Sequence, residues 1–192
     1  MTISTNRRIV AVSGAVSNPS RTTALVCAIG QRVAQRLGGE VHLVEIAELQ
    51  PAIGESLLRG TTTPDLQVAI DRIETADVLI VASPVFQASY SGLFKYVFDL
   101  VNPTALHGTS TILGATGGTD RHTLMVDYEL RPLFQYFHAT IAHHSIYATR
   151  EDFADYTLAA PALHDRIERA IDSLCAMNAL LAQDDRVRNA TS

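Results

Sequence analysis

Short runs of aliphatic, largely β-branched residues recur along the chain at 9–12, 41–46, 78–82, 109–115 and 141–148. Such brief and uniformly apolar runs predict strands buried on both faces of a parallel sheet, because a strand with one wet face would alternate. The stretches between them carry the longer period of amphipathic helices. Ser20 can cap a helix in which Leu25, Ile29, Val33 and Leu37 share one face, and Gly38-Gly39 stops it. Pro64-Asp65 opens a second helix through Ile70 and Ile73, and Ser91 precedes a third over 92–101 that halts before Pro103. Residues 122–137 form a fourth and residues 161 to about 181 a fifth. The polar residues 184–192 read as a frayed tail and residues 1–6 as flexible.

The chain therefore reads βαβαβαβαβ, a single α/β domain over 1–192. Five parallel strands joined by crossover helices predict an open doubly wound sheet in the flavodoxin-like order 2-1-3-4-5. In that order ligands bind beyond the carboxyl ends of strands one, three and four, so the loops there are where chemistry is expected.

Loop one, Ser13-Gly14-Ala15-Val16-Ser17-Asn18-Pro19-Ser20-Arg21-Thr22, offers hydroxyls, a helix N-terminus and one guanidinium, all of which favour a phosphate. It lacks the Gly-Lys-Ser/Thr of a P-loop and the second and third glycines of a dinucleotide fingerprint, and an ordinary capped turn would read alike. Loop two, Ser83 to Gly92, brings the chain's first rings; Pro84 ends the strand, and the following amides and Phe86 suit a planar heterocycle, although a core Phe is as common there. Loop three, Ala115-Thr116-Gly117-Gly118-Thr119-Asp120-Arg121-His122, allows close backbone approach and supplies a cation.

Composition narrows the partners. Fifteen basic against twenty acidic residues give a net charge of −5, which lacks the basic footprint of a nucleic-acid binder. Cys27 and Cys175 fall in separate helices, and no signal peptide or membrane-length apolar stretch is legible, which predicts a reduced cytoplasmic protein off the membrane. His143-His144 sit in a predicted strand where neighbours face opposite ways, so no metal site is expected. All six Phe and six Tyr lie between Phe86 and Tyr156, and there is no Trp.

Three blocks in order carry a resemblance: Ser-Gly-x5-Ser-Arg-Thr after strand one, Ser-Pro-Val-Phe-x3-Tyr-Ser-Gly-x2-Lys after strand three, and Ala-Thr-Gly-Gly-Thr-x2-His-x5-Tyr-x-Leu-Arg-Pro after strand four. Together they resemble the NAD(P)H-dependent FMN reductases, in particular the reductase components of two-component alkanesulfonate and methanesulfonate monooxygenases. The resemblance implies that Ser13, Ser20, Arg21 and Thr22 hold the FMN phosphate. Pro84, Val85, Phe86 and Gln87 would border the isoalloxazine, with Thr116, Gly117 and Gly118 along its other edge. Phe86 stands where the family more often has Tyr. Hydride would pass from NADH or NADPH to FMN without a catalytic side chain, since the redox chemistry belongs to the cofactors. Reduced FMN would then serve a flavin-dependent monooxygenase in sulfonate sulfur use.

Helix 122–137 is apolar on most sides and predicts a subunit interface, hence a homo-oligomer, dimer or tetramer. Pro132 cannot donate to the Tyr128 carbonyl, which predicts a kink or π-bulge there. The resemblance places a Tyr of the sulfonate-pathway enzymes in such a turn, at a tetramer interface and tied to flavin transfer. A handful of charged hydrogen bonds, offset by ordering costs, predicts FMN held loosely, at about micromolar affinity. A quinone or azo reductase that retains FMN, and a flavodoxin-like electron carrier, are the competing readings.

Overall fold

The computed structural model describes residues 6–190, with the side chains of all of these except 181, 182 and 184–190. Four parallel strands, β1 (Arg8–Ser13), β2 (Glu40–Glu45), β3 (Val78–Pro84) and β4 (Ser110–Gly117), pair in the order β2-β1-β3-β4. The fifth position beside β4 is shared by two short strands, β5 (Thr140–Ile141) and β6 (Ile146–Thr149), both parallel to it. The order is the predicted flavodoxin-like one, except that the single run expected over 141–148 is broken. His143 and His144 turn out at the break with their rings 5.0 Å apart, and the Arg131 guanidinium donates to the Ala142 and His143 carbonyls that leave the ladder.

Buried residues alternate between two cores, one on each face of the sheet. Ile9 and Ala11 of β1 join a core covered by α1 (Arg21–Leu37) and α6 (Pro161–Ala190). Val10 and Val12 join the other, covered by α2 (Ile46–Arg59), α3 (Pro64–Glu74), α4 (Gly92–Asp99) and α5 (Arg131–Tyr136). The hydrophobic pattern does not reveal α2, because Pro51 and Gly54 punctuate it, yet it forms by burying Ile46 and Ile53. Helix α6 runs to Ala190, past the predicted end, since no Gly or Pro follows Pro161 to stop it. Of the ends expected to be flexible, 1–6 and 184–192, residues 184–190 continue helix α6, and residues 1–5 and 191–192 lie outside the described residues. The free thiols of Cys27 and Cys175 sit in α1 and α6 and are pushed up mainly by burial.

The fourth predicted helix is three pieces: a 3-10 turn (Asp120–His122), a π-turn (Val126–Leu130) and α5. The Arg131 N–H donates to the Val126 carbonyl, one residue further back than in an α-helix, so the widened turn encloses Tyr128 as predicted. A hairpin of β7 (Phe153–Ala154) and β8 (Thr157–Leu158), too short to show in the pattern, precedes α6. Among the described residues no helix is long and apolar enough to cross a membrane.

The late-appearing rings have a packing explanation. Phe94, Phe98, Phe134 and Phe137 are all buried within the subunit rather than displayed at an interface, and the Phe98 ring centroid lies 4.7 Å from that of Phe94, tilted, and 5.0 Å from that of Phe134, edge to face. These contacts tie α4 to α5, the two helices that follow loops two and three. Replacing Phe98 by Ala should cost about 3–5 kcal/mol, read as a lowered urea midpoint, whereas Phe98→Leu should cost much less.

Candidate functional site

Loop one is seated on β3 by the Gly14 N–H, which donates to the Ala82 carbonyl at 2.7 Å. A Cβ on Gly14 would lie 3.0 Å from the Phe94 ring and 3.1 Å from that carbonyl, so glycine permits the close approach. At the loop's end the Ser20 hydroxyl caps α1, accepting from the N–H groups of Thr22 at 3.1 Å and Thr23 at 3.4 Å. The cap uses the oxygen's lone pairs and leaves its proton for an anion, but it also occupies two of the helix-end amides the sequence offered to a phosphate. Thr22 Oγ1 and Thr116 Oγ1 share a hydrogen bond of 2.6 Å, which ties the start of α1 to the end of β4.

Ser13 does not reach the site. It is fully buried, and its hydroxyl is shared with Thr23 at 2.8 Å, which in turn donates to Glu45. Its role is to brace loop one from below. The side-chain amide of Gln50, on the unforeseen α2, donates to the Val16 carbonyl and holds the loop from the flank.

Loop two closes on itself more than expected. The Val85 N–H donates to the Thr116 carbonyl at 2.8 Å, and Phe86 and Ser89 exchange backbone bonds of 2.8 and 3.0 Å around Gln87 and Ala88. Both tip residues have positive φ, 48° and 68°, the type I′ geometry that glycine or Asn normally fills. Two such residues cost on the order of 1–3 kcal/mol each, so neighbouring bonds must hold the turn. Ser91 supplies two, its N–H to Ser83 Oγ at 3.0 Å and its hydroxyl to the Gly14 carbonyl at 2.8 Å; Ser89 donates to Glu129 of the π-turn at 3.0 Å. Gln87 is exposed at the tip, and Phe86 remains exposed beside the strand end.

In loop three the adjacent glycines have different reasons. A Cβ on Gly117 would stand 1.9 Å from the Tyr147 hydroxyl, so Gly117 makes room for a β6 side chain; at Gly118 nothing lies within 4 Å, and the backbone is open to a ligand. The Tyr147 hydroxyl donates to the Thr119 carbonyl at 2.7 Å. Burial first, and the Asp120 charge second, push its phenol up, so it stays a neutral donor.

These segments enclose one cleft of about 440 Å³, within the usual range for small-molecule sites. Ser20, Arg21, Thr22, Pro84, Val85, Phe86, Thr116, Gly117 and Gly118 all line it; Ser13, Gln87, Arg121 and Tyr128 do not. Sequence reasoning missed Thr149, Arg150 and Tyr156, which complete the wall because β6 ends level with β4 and so adds a fourth loop to the rim. Tyr156 packs under Arg21, its ring centroid 5.5 Å from the guanidinium carbon, and Arg21 Nε is buried with no protein partner. An orphaned guanidinium nitrogen beside a spare hydroxyl proton and an open glycine backbone fits a phosphate-bearing ring system. The lining holds no carboxylate, imidazole, thiol or ammonium, and among the described residues no group of His, Cys, Asp and Glu is placed to bind a metal.

The chain is also similar to known proteins along most of its length. The model of the family described as NADPH-dependent FMN reductase matches residues 7–154. The chain is 47% identical over 170 residues to the NADH-dependent FMN reductase SfnF of Pseudomonas putida, covering 88% of this chain and 91% of that one. It is 41% identical over 165 residues to an FMN reductase (NADPH) of Pseudomonas aeruginosa, covering 86% and 89%. Among solved structures it is similar to an NADH:FMN oxidoreductase, EMOB, in its apo form, with a TM-score of 0.77, 32% identity and coverage of 86% and 87%.

The fit at Gly117 makes a sharp expectation. Gly117→Ala should destabilise the protein by about 1–3 kcal/mol, and the penalty should shrink in a Tyr147→Phe background, where the nearest clashing atom is gone. Thermal or urea unfolding of the four variants of that cycle measures it; equal penalties in both backgrounds would refute the assignment.

Proposed function

Since the chain belongs to the NADPH-dependent FMN reductase family and is an NAD(P)H-dependent flavin reductase, we propose that the cleft takes FMN with its phosphate at Ser20, Arg21 and Thr22. Pro84, Val85 and Phe86 then border one edge of the ring, and Thr116, Gly117 and Gly118 the other. The observation that carries this reading is the unpartnered Arg21 Nε, buried at the start of α1 in a wall without a single acid. The α1 N-terminus adds a favourable dipole, and the Ser20 hydroxyl, with its oxygen engaged by the cap, has its proton free to donate to the phosphate.

Bound FMN supplies the two-electron acceptor for NADH or NADPH, so the chain needs only to bind, orient and partly desolvate. A wall of hydroxyls, backbone and guanidinium groups suits that task. The absence of Trp and the few charged contacts favour an FMN that exchanges, and release of reduced FMN to a flavin-dependent monooxygenase follows as the use of the product. The motif resemblance supports sulfonate sulfur assimilation in the cytoplasm as the setting of that use. Leu124 just before the π-turn, Tyr128 within it and Tyr136 on α5, all largely exposed, support a homo-oligomer built on that side.

Following absorbance at 340 nm with NADH or NADPH, with and without added FMN, tests the activity. Oxidation should saturate with added FMN; turnover of a quinone without it would favour the retained-flavin reductase, and no oxidation the electron carrier. Arg21→Ala should raise the KM for FMN roughly ten- to a hundredfold, the loss of about 1.5–3 kcal/mol of charged hydrogen bonding. Light scattering at micromolar concentration should give an oligomer, and a monomer would refute the assembly.

A further inference from the structure

The cleft lining contains two guanidiniums, Arg21 and Arg150, and no carboxylate, although the whole chain carries a net charge of −5. Arg21 is half-buried at the start of α1 with a buried nitrogen to satisfy. Arg150 is exposed at the rim, on the 3-10 turn Arg150–Asp152 that follows β6. One phosphate monoester at the floor accounts for Arg21, the Ser20 hydroxyl and the α1 N-terminus; it leaves the rim cation without an anion.

Arg150 is also kept uncompensated by construction. Asp152, two residues on, spends one oxygen on the Thr149 N–H at 2.8 Å and on the Thr149 hydroxyl, closing a capping box, and the other on Arg166 at 2.6 Å. The Asp152 carbonyl accepts from the Ala159 and Ala160 N–H groups, so the turn is anchored through both its side chain and its backbone. Glu151 and Asp155, the other acids close by in sequence, and Asp120 of loop three are exposed, and none of them lines the cleft. Among the described residues Arg150 makes no ion pair. A rigid turn that aims an unpaired, planar bidentate donor at a ligand cleft is the arrangement for reading a phosphate.

We propose that Arg150 binds a phosphate of the nicotinamide dinucleotide, the second substrate, and so sets the affinity for that substrate rather than for FMN. The inference rests on the flavin-reductase reading of the cleft. Its basis is depth: the substrate that enters first occupies the floor with Arg21, and the one that must lie over it meets the rim. The chemistry is that of a dinucleotide phosphate, either the pyrophosphate common to NADH and NADPH or the 2′-phosphate of NADPH. A rim cation in a wall free of acids also focuses the field on anionic substrates, an effect that salt screens.

The test compares wild type, Arg150→Ala and Arg150→Lys for KM and kcat with NADH, NADPH and FMN, each at saturating concentrations of the other substrate, together with calorimetric titration of NADP+ and NAD+. Arg150→Ala should raise the dinucleotide KM and Kd about tenfold, leaving kcat, the KM for FMN and the melting temperature unchanged, and Lys should recover part of the loss. A rise confined to NADPH and NADP+ identifies the 2′-phosphate; an equal rise for both pairs identifies the pyrophosphate. A rise in the FMN KM alone, or no change in any of these, overturns the proposal. Failure of the reading beneath it is separate, since wild type itself would then not oxidise NAD(P)H with FMN.

Discussion

Everything at the site depends on four parallel strands ending at one level. The ladder pairs Ser13 with Ala82, Pro84 with Thr116 and Gly117 with Thr149, so each strand delivers its following loop to the same edge. Backbone bonds then lock the loops together before any ligand is considered: Gly14 to Ala82, Val85 to Thr116, and the Thr22–Thr116 hydroxyl pair between α1 and β4. A one-residue slip of β4 against β3 would exchange its two faces and bury Thr116 where Ala115 now packs. The register is thus enforced by the two hydrophobic cores, and the cleft follows from them.

The core and the site share residues, which explains their unequal composition. The floor is built from hydroxyls and glycine because helix α1 and loop one must approach β3 closely. The rings accumulate one layer away, where Phe94 touches Gly14 from beneath and passes its contacts through Phe98 to α5. Only Phe86 and Tyr156 carry rings to the cleft wall itself. Aromatic bulk therefore serves mainly to set the spacing between the two helices that carry loops two and three.

Most of this was legible in the sequence because buried parallel strands and capped helices leave strong local patterns. The strand order, the caps at Ser20 and Ser91 and the widened turn at Tyr128 follow from apolar runs, hydroxyl positions and a proline with no N–H to give. What was not legible depends on distant partners. Ser13 reads as a phosphate ligand until Thr23 is seen to take its hydroxyl; Gly117 reads as a glycine kept for a ligand alone until Tyr147 is seen to stand where its Cβ would be. Helix α2 is stabilised by burial of Ile46 and Ile53 against a sheet that its own sequence does not announce. Arg150 was missed because the switch-point rule names strands one, three and four, whereas β6 ends level with them.

The break between β5 and β6 also determines how the sheet can meet other chains. An edge strand invites a further strand to pair with its free amides and carbonyls, and long flat edges are aggregation templates. Here the edge consists of two residues and four, separated by outward-turned His143 and His144, with the Arg131 guanidinium covering two of the carbonyls at the gap. No incoming strand finds a continuous row of partners along it. The sheet offers little for growth on that side, and any contact with another chain there would fall to side chains and helix surfaces, which can be tuned by substitution without disturbing the ladder that holds the cleft.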